Sequence, residues 1–231
     1  MCSRRLIRGL DMSVASPQAY EQLSPSRNWQ HSVQVLAKRA FDIVVSSLLL
    51  IVLAPVFVTL AILVKITSRG PVLYAWKVAG KGGRPFTGYK FRSMVANADD
   101  LKASLAERNE MTGPMFKIAD DPRITRVGRW MRRYSLDELP QIYSVLTGEM
   151  SLVGPRPPLV TEYEQFSEYH RQKLAVTPGM TCLWQVSGRN RISDFDQWVA
   201  LDLEYIRDWS LTLDFKILWR TAIAVVTGSG K

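Results

Sequence analysis

The chain has 231 residues, 47% of them apolar, and 30 basic residues against 21 acidic ones give a net charge of +9. The length allows one domain or two small ones, the apolar share excludes a wholly disordered chain, and the charge points to a polyanionic partner: nucleic acid, an anionic membrane or a phosphorylated substrate. Cys2 and Cys182 are the only cysteines and His31 and His170 the only histidines, so a disulfide scaffold, a Cys/His zinc site and a His-centred relay lack the residues they need.

Residues 1–37 read as a flexible basic arm. Arg4, Arg5 and Arg8 are followed by no apolar stretch, so no cleaved secretory signal is expected and the amino terminus is expected to stay in the cytoplasm. Ile43 to Val64 is a run of 22 residues without a charge. That exceeds the roughly 18 residues that mark a membrane candidate. A soluble core helix of this length normally shows a polar face. Lys38 and Arg39 precede the run and Lys65 and Arg69 follow it, whereas positive residues favour the cytoplasmic side. Pro55, at the middle, removes one helical hydrogen bond. A re-entrant hairpin over residues 38–69, turning at Pro55 and returning to the cytoplasm, satisfies both features. On charge alone a straight span fits about as well.

Residues 70–231 read as a separate cytosolic domain at the membrane surface, of α/β class and rich in helix. Strands are predicted for Val72 to Trp76 and Phe86 to Phe91, around a turn with Gly80, Gly82 and Gly83. An exposed helix is predicted over 96–110, short helices over 123–133 and 140–147, and helices over 161–174 and 195–209. Gly154 to Pro158 is a rigid elbow. Leu211 to Val226 is an amphipathic stretch suited to lie on a bilayer. Trp184 and Trp198 fit core or membrane-interface positions better than a base-stacking platform.

Arg123, Arg126, Arg129, Arg132 and Arg133 fall in one stretch without an acid. Such clustering is self-repelling unless an anion offsets it, and the guanidinium fork matches phosphate oxygens two at a time. Anionic lipid would satisfy the same pattern. Ser135-Leu136-Asp137-Glu138 reads either as a helix capping box or as a prelude to a helix starting at Pro140. In the second case Asp137 and Glu138 sit beside a cationic cluster that favours their charged forms, in which a carboxylate serves as nucleophile or as Mg²⁺ ligand. Lys90, Arg156, Arg189 and Asp202, taken singly, read as surface residues.

Several longer motifs carry a resemblance. Lys38-Arg39-Ala40-Phe41-Asp42 ahead of the Pro-centred apolar run, Tyr89-Lys90-Phe91-Arg92-Ser93-Met94, Asp121-Pro122-Arg123, Arg132 through Gln141, Met150 through Pro157, Pro178-Gly179-Met180-Thr181 and Ser187-Gly188-Arg189-Asn190 follow one another. Together they resemble the bacterial sugar transferases, the monotopic polyprenyl-phosphate phosphoglycosyl transferases, over about residues 38–230. The resemblance implies transfer of a sugar phosphate from a UDP-sugar to undecaprenyl phosphate with release of UMP, the first membrane step of exopolysaccharide, capsule or O-antigen assembly. It implies Asp137 as nucleophile forming a phosphosugar ester and Glu138, with Asp137, as Mg²⁺ ligand. It further implies phosphate or nucleotide contacts from Arg132, Arg156 and Arg189, and polar roles for Lys90 and Asp202. Lys38, Arg39 and Pro55 would anchor a re-entrant helix on the cytoplasmic face of the bacterial inner membrane. A homo-oligomer is compatible with the sequence and nucleic acid is not expected as a partner.

The chain departs from the family pattern in places. Ala54 stands where the family commonly has Ser before the central Pro, and Trp76 and Val78 stand where Gln and Arg are frequent. Larger members carry additional spans and a further domain, and this chain resembles the stand-alone catalytic unit. A reading from a different class is a silent membrane tether that gathers anionic lipid or nucleic acid through its basic face. The sugar is not legible: glucose, galactose and N-acetylated amino sugars stay open, with an unmodified hexose fitting the likeness to exopolysaccharide-type members.

Overall fold

Pro55 decides how the long apolar run folds. The computed structural model describes residues 29–187, 192 and 194–228. Helices α1 (Trp29–Val52) and α2 (Ala54–Thr67) are separated by Leu53 alone and meet at a bend of 60°. Pro55 lies in the first turn of α2, where its missing N–H leaves no bond unmade. Ala54 provides no hydroxyl at the bend, but Thr59 donates its own to the Pro55 carbonyl at 2.9 Å. Among the described residues no single helix is long and apolar enough to cross a membrane, whereas the bent pair together passes that test.

The strands expected after residue 70 form an antiparallel hairpin of β1 (Leu73–Ala79) and β2 (Pro85–Phe91), with Leu73 opposite Phe91 and Val78 opposite Phe86. Residues 96–110 do not make the expected helix. They make turns and one 3₁₀ stretch, Ala103–Arg108. Asn and Asp at 97, 99 and 100 favour turns. Asn109 then binds the carbonyls of Met111 and Met115 and the N–H groups of Met111 and Lys117, closing a loop.

Helix α3 (Arg126–Arg133) begins where Thr125 caps the Gly128 N–H, and α4 (Gln141–Thr147) begins after Pro140. Two three-residue strands that the sequence did not announce, β3 (Ser151–Val153) and β4 (Gly179–Thr181), pair in parallel. The helix expected over 161–174 is broken into α5 (Val160–Tyr163), α6 (Glu168–Arg171) and a 3₁₀ turn, Gln172–Leu174. Ser167 starts α6 by capping the His170 N–H. Helices α7 (Leu183–Val186), α8 (Phe195–Arg207) and α9 (Leu211–Thr227) complete the helix-rich α/β architecture.

Three apolar clusters hold these elements. Val145, Val153, Tyr205 and Ile217 join α4, β3, α8 and α9. Trp184 and Trp198 stack at 4.1 Å between centroids, both buried, so these tryptophans are core. Leu60 and Val64 of α2 pack on Phe91 and Met131.

Both ends of the bent pair are therefore fastened to one body. At the α1 end, Lys38 and Arg39 turn inward onto the domain. Lys38 pairs with Asp214 of α9 at 2.5 Å and donates to the Val153 carbonyl. Arg39 donates to the carbonyls of Val145 and Leu146 in the last turn of α4, where the Val145 carbonyl also accepts the Gly148 N–H. Buried Asp42 accepts from the Ser151 hydroxyl and the Leu152 N–H. The α2 end is held by Leu60 and Val64. Much of the rest of the pair is exposed and apolar, with Ile51 and Ile66 each 73% exposed. On α9, Phe215, Trp219, Ile223 and Val226 form an exposed apolar face opposite buried Asp214 and Ile217.

Candidate active site

A glycine sets the first cation. A Cβ on Gly128 would lie 1.9 Å from the Ser93 carbonyl oxygen, so only glycine lets α3 approach the segment after β2 this closely. That approach brings Arg132 Nε to 2.9 Å from Ser93 Oγ. Burial lowers the Arg132 pKa, and the carboxylates of Asp137, Asp121 and Glu138 oppose the shift.

After α3 the backbone turns sharply. Ser135 has φ 54 and ψ 23, the only left-handed non-glycine residue among those described. Such conformations persist where surrounding structure enforces them, often at functional sites. Ser135 makes no side-chain cap, so the capping-box reading falls. Leu136–Glu138 instead form one 3₁₀ turn ahead of Pro140 and α4. Leu136 and Leu139 pack toward the Leu60–Phe91–Met131 cluster and secure the turn. Asp137 and Glu138 are each only 7% exposed.

Strand β2 and the Pro-rich elbow bring in the remaining cations. Lys90 Nζ is 2.7 Å from Glu138 Oε1 and lies over the Trp76 ring, 4.8 Å from its centroid. Burial lowers its pKa, with Glu138 and Asp137 partly offsetting and Arg156 adding to the shift. The elbow is pinned from both sides: the Ala79 N–H donates to the Pro158 carbonyl, and the Gly179 N–H donates to the Pro155 carbonyl. Between these bonds Arg156 Nη1 reaches 3.5 Å from Glu138 Oε1. Burial alone would lower the Arg156 pKa, but the surrounding anions, Glu138 first, make the net shift upward.

The structure thus gathers Lys90, Arg132, Asp137, Glu138 and Arg156, three cations around two carboxylates. The positive excess suits a ligand rich in phosphate. Asp202 lies elsewhere: it is fully buried behind the elbow, paired with Lys173 at 2.6 Å, its carboxylate facing the Arg156 backbone. Burial raises its pKa, and Lys173 opposes the shift. Arg189 falls outside the described residues.

The run of five arginines does not act as one ladder. Arg123 is buried in a bidentate pair with Asp121, and Arg126, Arg129 and Arg133 stay exposed. Sequence reasoning missed Ser93, Gly128 and Lys173 as supports of the site. The first two lie in or beside quoted motifs but carry no chemistry of their own. Lys173 gives no local sign of a partner 29 residues away. Among the described residues no three His, Cys, Asp or Glu side chains gather as a metal site.

Residues 33–228 match the family model described as bacterial sugar transferase. The chain belongs to the bacterial sugar transferase family. It is 43% identical over 213 residues to the galactosyl transferase CpsE of Streptococcus agalactiae, an overlap of 92% of this chain and 47% of that one. To the undecaprenyl-phosphate galactose phosphotransferase of Salmonella typhimurium it is 43% identical over 198 residues, covering 84% of this chain and 41% of the relative. To the exopolysaccharide production protein ExoY of Sinorhizobium fredii it is 39% identical over 199 residues, covering 84% and 88%. The chain therefore spans about half the length of the first two relatives and most of the third. Each of the three alignments is longer than the stretch that holds the gathered site, from Lys90 to Arg156.

Proposed function

We propose that this chain transfers a sugar phosphate from a UDP-sugar to undecaprenyl phosphate, releasing UMP, at the cytoplasmic face of a bacterial inner membrane. The observation that carries the reading is the dyad itself: Asp137 and Glu138 on a strained turn, faced by cations from β2, α3 and the elbow. The names of relatives that are undecaprenyl-phosphate sugar phosphotransferases support the same substrates.

A carboxylate oxygen of Asp137 attacks the sugar-bearing phosphorus, and the phosphoanhydride bond to UMP breaks. An oxygen of the lipid phosphate then attacks the same phosphorus and frees Asp137 as carboxylate. Splitting the transfer lets one anionic substrate leave before the next arrives. Arg132, Arg156 and Lys90 neutralise the phosphoryl oxygens on which charge accumulates. Mg²⁺ commonly takes one or two carboxylates and completes its shell with substrate phosphates and water. The adjacent carboxylates fit that donor set, so Asp137 and Glu138 would hold the ion, which would neutralise charge on the diphosphate.

The membrane reading rests on the hairpin. A bend of 60°, with both ends fastened to the same domain, supports entry into one leaflet and return. The apolar face of α9 supports contact with the same surface.

The test is UMP release by the full chain in detergent or liposomes, across a panel of UDP-sugars with Mg²⁺. Turnover should require undecaprenyl phosphate. Without it, radiolabelled donor should leave label covalently on the wild type and none on Asp137→Asn. Full turnover by Asp137→Asn would remove the nucleophile assigned here.

A further inference from the structure

An apolar groove of about 560 Å³ runs between the bent helix pair and the β-hairpin. Its walls include Leu50 of α1, Phe57 and Ala61 of α2, Phe91 of β2, and Pro140 and Tyr143 at the start of α4. We infer that this groove seats the isoprenoid tail of the acceptor lipid nearest its phosphate, an inference that rests on the function proposed above.

The lining favours a hydrocarbon occupant. Small-molecule pockets combine apolar walls with a few convergent polar groups. Here the Tyr89 and Tyr143 hydroxyls are the only polar side-chain groups among the lining residues. Position then selects the occupant. At one end the groove is walled by Pro140, two residues past Glu138, and by Phe91 beside Lys90 on β2. Alternation along the strand sends Phe91 into the groove and Lys90 to the opposite side, toward the dyad. The rim residues Val58, Leu73 and Tyr143 are exposed and merge with the apolar surface of the bent pair. An apolar trough whose wall residues Phe91 and Pro140 are neighbours in sequence of Lys90 and Glu138 fits a molecule with an anionic head and a long hydrocarbon tail. A phospholipid shares that chemistry. The acceptor is the one lipid whose phosphate must reach Asp137, and Pro140 in the groove wall lies three residues along the chain from it.

Two measurements on the full chain test this. First, a polyprenyl phosphate carrying a diazirine near the head is photolysed with the protein in phosphatidylglycerol vesicles. Label should appear in peptides holding Leu50, Ala61 or Tyr143, and undecaprenyl phosphate should compete it away. Label elsewhere, or label lost equally to added phosphatidylglycerol, overturns the inference. Second, Ala61→Trp, which fills the groove, should raise KM for undecaprenyl phosphate about tenfold or more, as expected when one isoprene unit loses its contact. Donor KM should not move, and a two-isoprene phosphate should be affected far less. Equal effects on both acceptors would sink the groove. Tyr143→Ala, at an exposed rim position, makes the same comparison should Ala61→Trp fail to fold. Photolabelling needs no turnover, so a chain that takes label in the groove yet releases no UMP keeps the groove and loses the activity.

Discussion

Lys90 Nζ and Arg156 Nη1 approach the same oxygen, Glu138 Oε1, at 2.7 and 3.5 Å. Two cations from segments 66 residues apart, one on a strand and one between prolines, are thus held together by a single acidic acceptor. Without that carboxylate they would repel at short range in a partly desolvated site. Glu138 therefore serves the resting site as well as any ion, and an arriving diphosphate offers the same cations more oxygens of the same sign.

Lys90 makes the site sensitive to alkali. Burial places its pKa below the usual lysine value of 10.5. Between the lowered value and 10.5 the unfolded chain holds a proton that the folded chain has lost, so Lys90's contribution to stability rises with pH there. Phosphate binding moves the other way, because it needs the ammonium. We expect kcat/KM for the donor to fall with rising pH before the usual lysine value of 10.5 is reached, with the fall absent in Lys90→Arg. Lys90→Met should raise donor KM about ten- to a hundredfold, the range of one charge-assisted hydrogen bond. A pH profile unchanged by Lys90→Arg would remove Lys90 from donor binding.

Gly128 is the packing point on which Arg132 depends. Gly128→Ala sets a methyl against the Ser93 backbone, and such overpacking typically costs about 1–3 kcal/mol. Urea unfolding should show that loss, and donor KM should rise as α3 shifts. Gly82→Ala is the control: its added methyl meets nothing within 4 Å, though φ is +65. It should show only the backbone penalty, about 1–2 kcal/mol, with donor KM unchanged. A Gly128→Ala enzyme with wild-type donor KM would separate Arg132 from the glycine.

What the sequence reveals here follows the range of the forces involved. Pro55 and Pro140 act on their own backbones, so the break in the apolar run and the start of α4 near residue 140 are readable directly. The β-hairpin is readable because its strands are neighbours joined by a glycine turn. β3 and β4 are not, because three residues each carry no periodicity and their pairing depends on a long crossover. The 96–110 stretch misleads because its helix-forming composition competes with Asn109, whose bonds are local but whose effect on the backbone has no pattern. For the site, the motifs mark Lys90, Arg132, Asp137, Glu138 and Arg156, and the structure brings those five together. Asp202 bears a charge like theirs, but its partner Lys173 is fixed only by folding.

The Lys173–Asp202 pair positions the elbow and does not touch substrate in this reading. Asp202→Asn leaves a buried ammonium without its anion, a change worth about 3–5 kcal/mol in comparable buried pairs. Replacing both, Lys173→Met with Asp202→Leu, should recover most of that stability in urea unfolding. Donor KM should stay raised in the double variant, because the Arg156 backbone still lacks the carboxylate that faces it. Recovery of stability and donor KM together would reduce the pair to a structural one.

The docked ends of the bent pair make a topological prediction. Gln34 lies on α1 ahead of Lys38, and Arg69 lies just past α2, both exposed. Lys38, Asp42, Leu60 and Val64 tie the two ends to one body. In bacterial cells, Gln34→Cys and Arg69→Cys should both resist a membrane-impermeant maleimide added outside and both react once the inner membrane is permeabilised. Reaction of one from outside in intact spheroplasts would mean a straight span, and would require the packing of Leu60 and Val64 on Phe91 to be undone. Lys38→Met should loosen the α1 end first, seen as faster proteolysis near residue 38 with the α2 end still protected. Equal protection of both ends in that variant would show that Asp42 and Arg39 hold α1 without it.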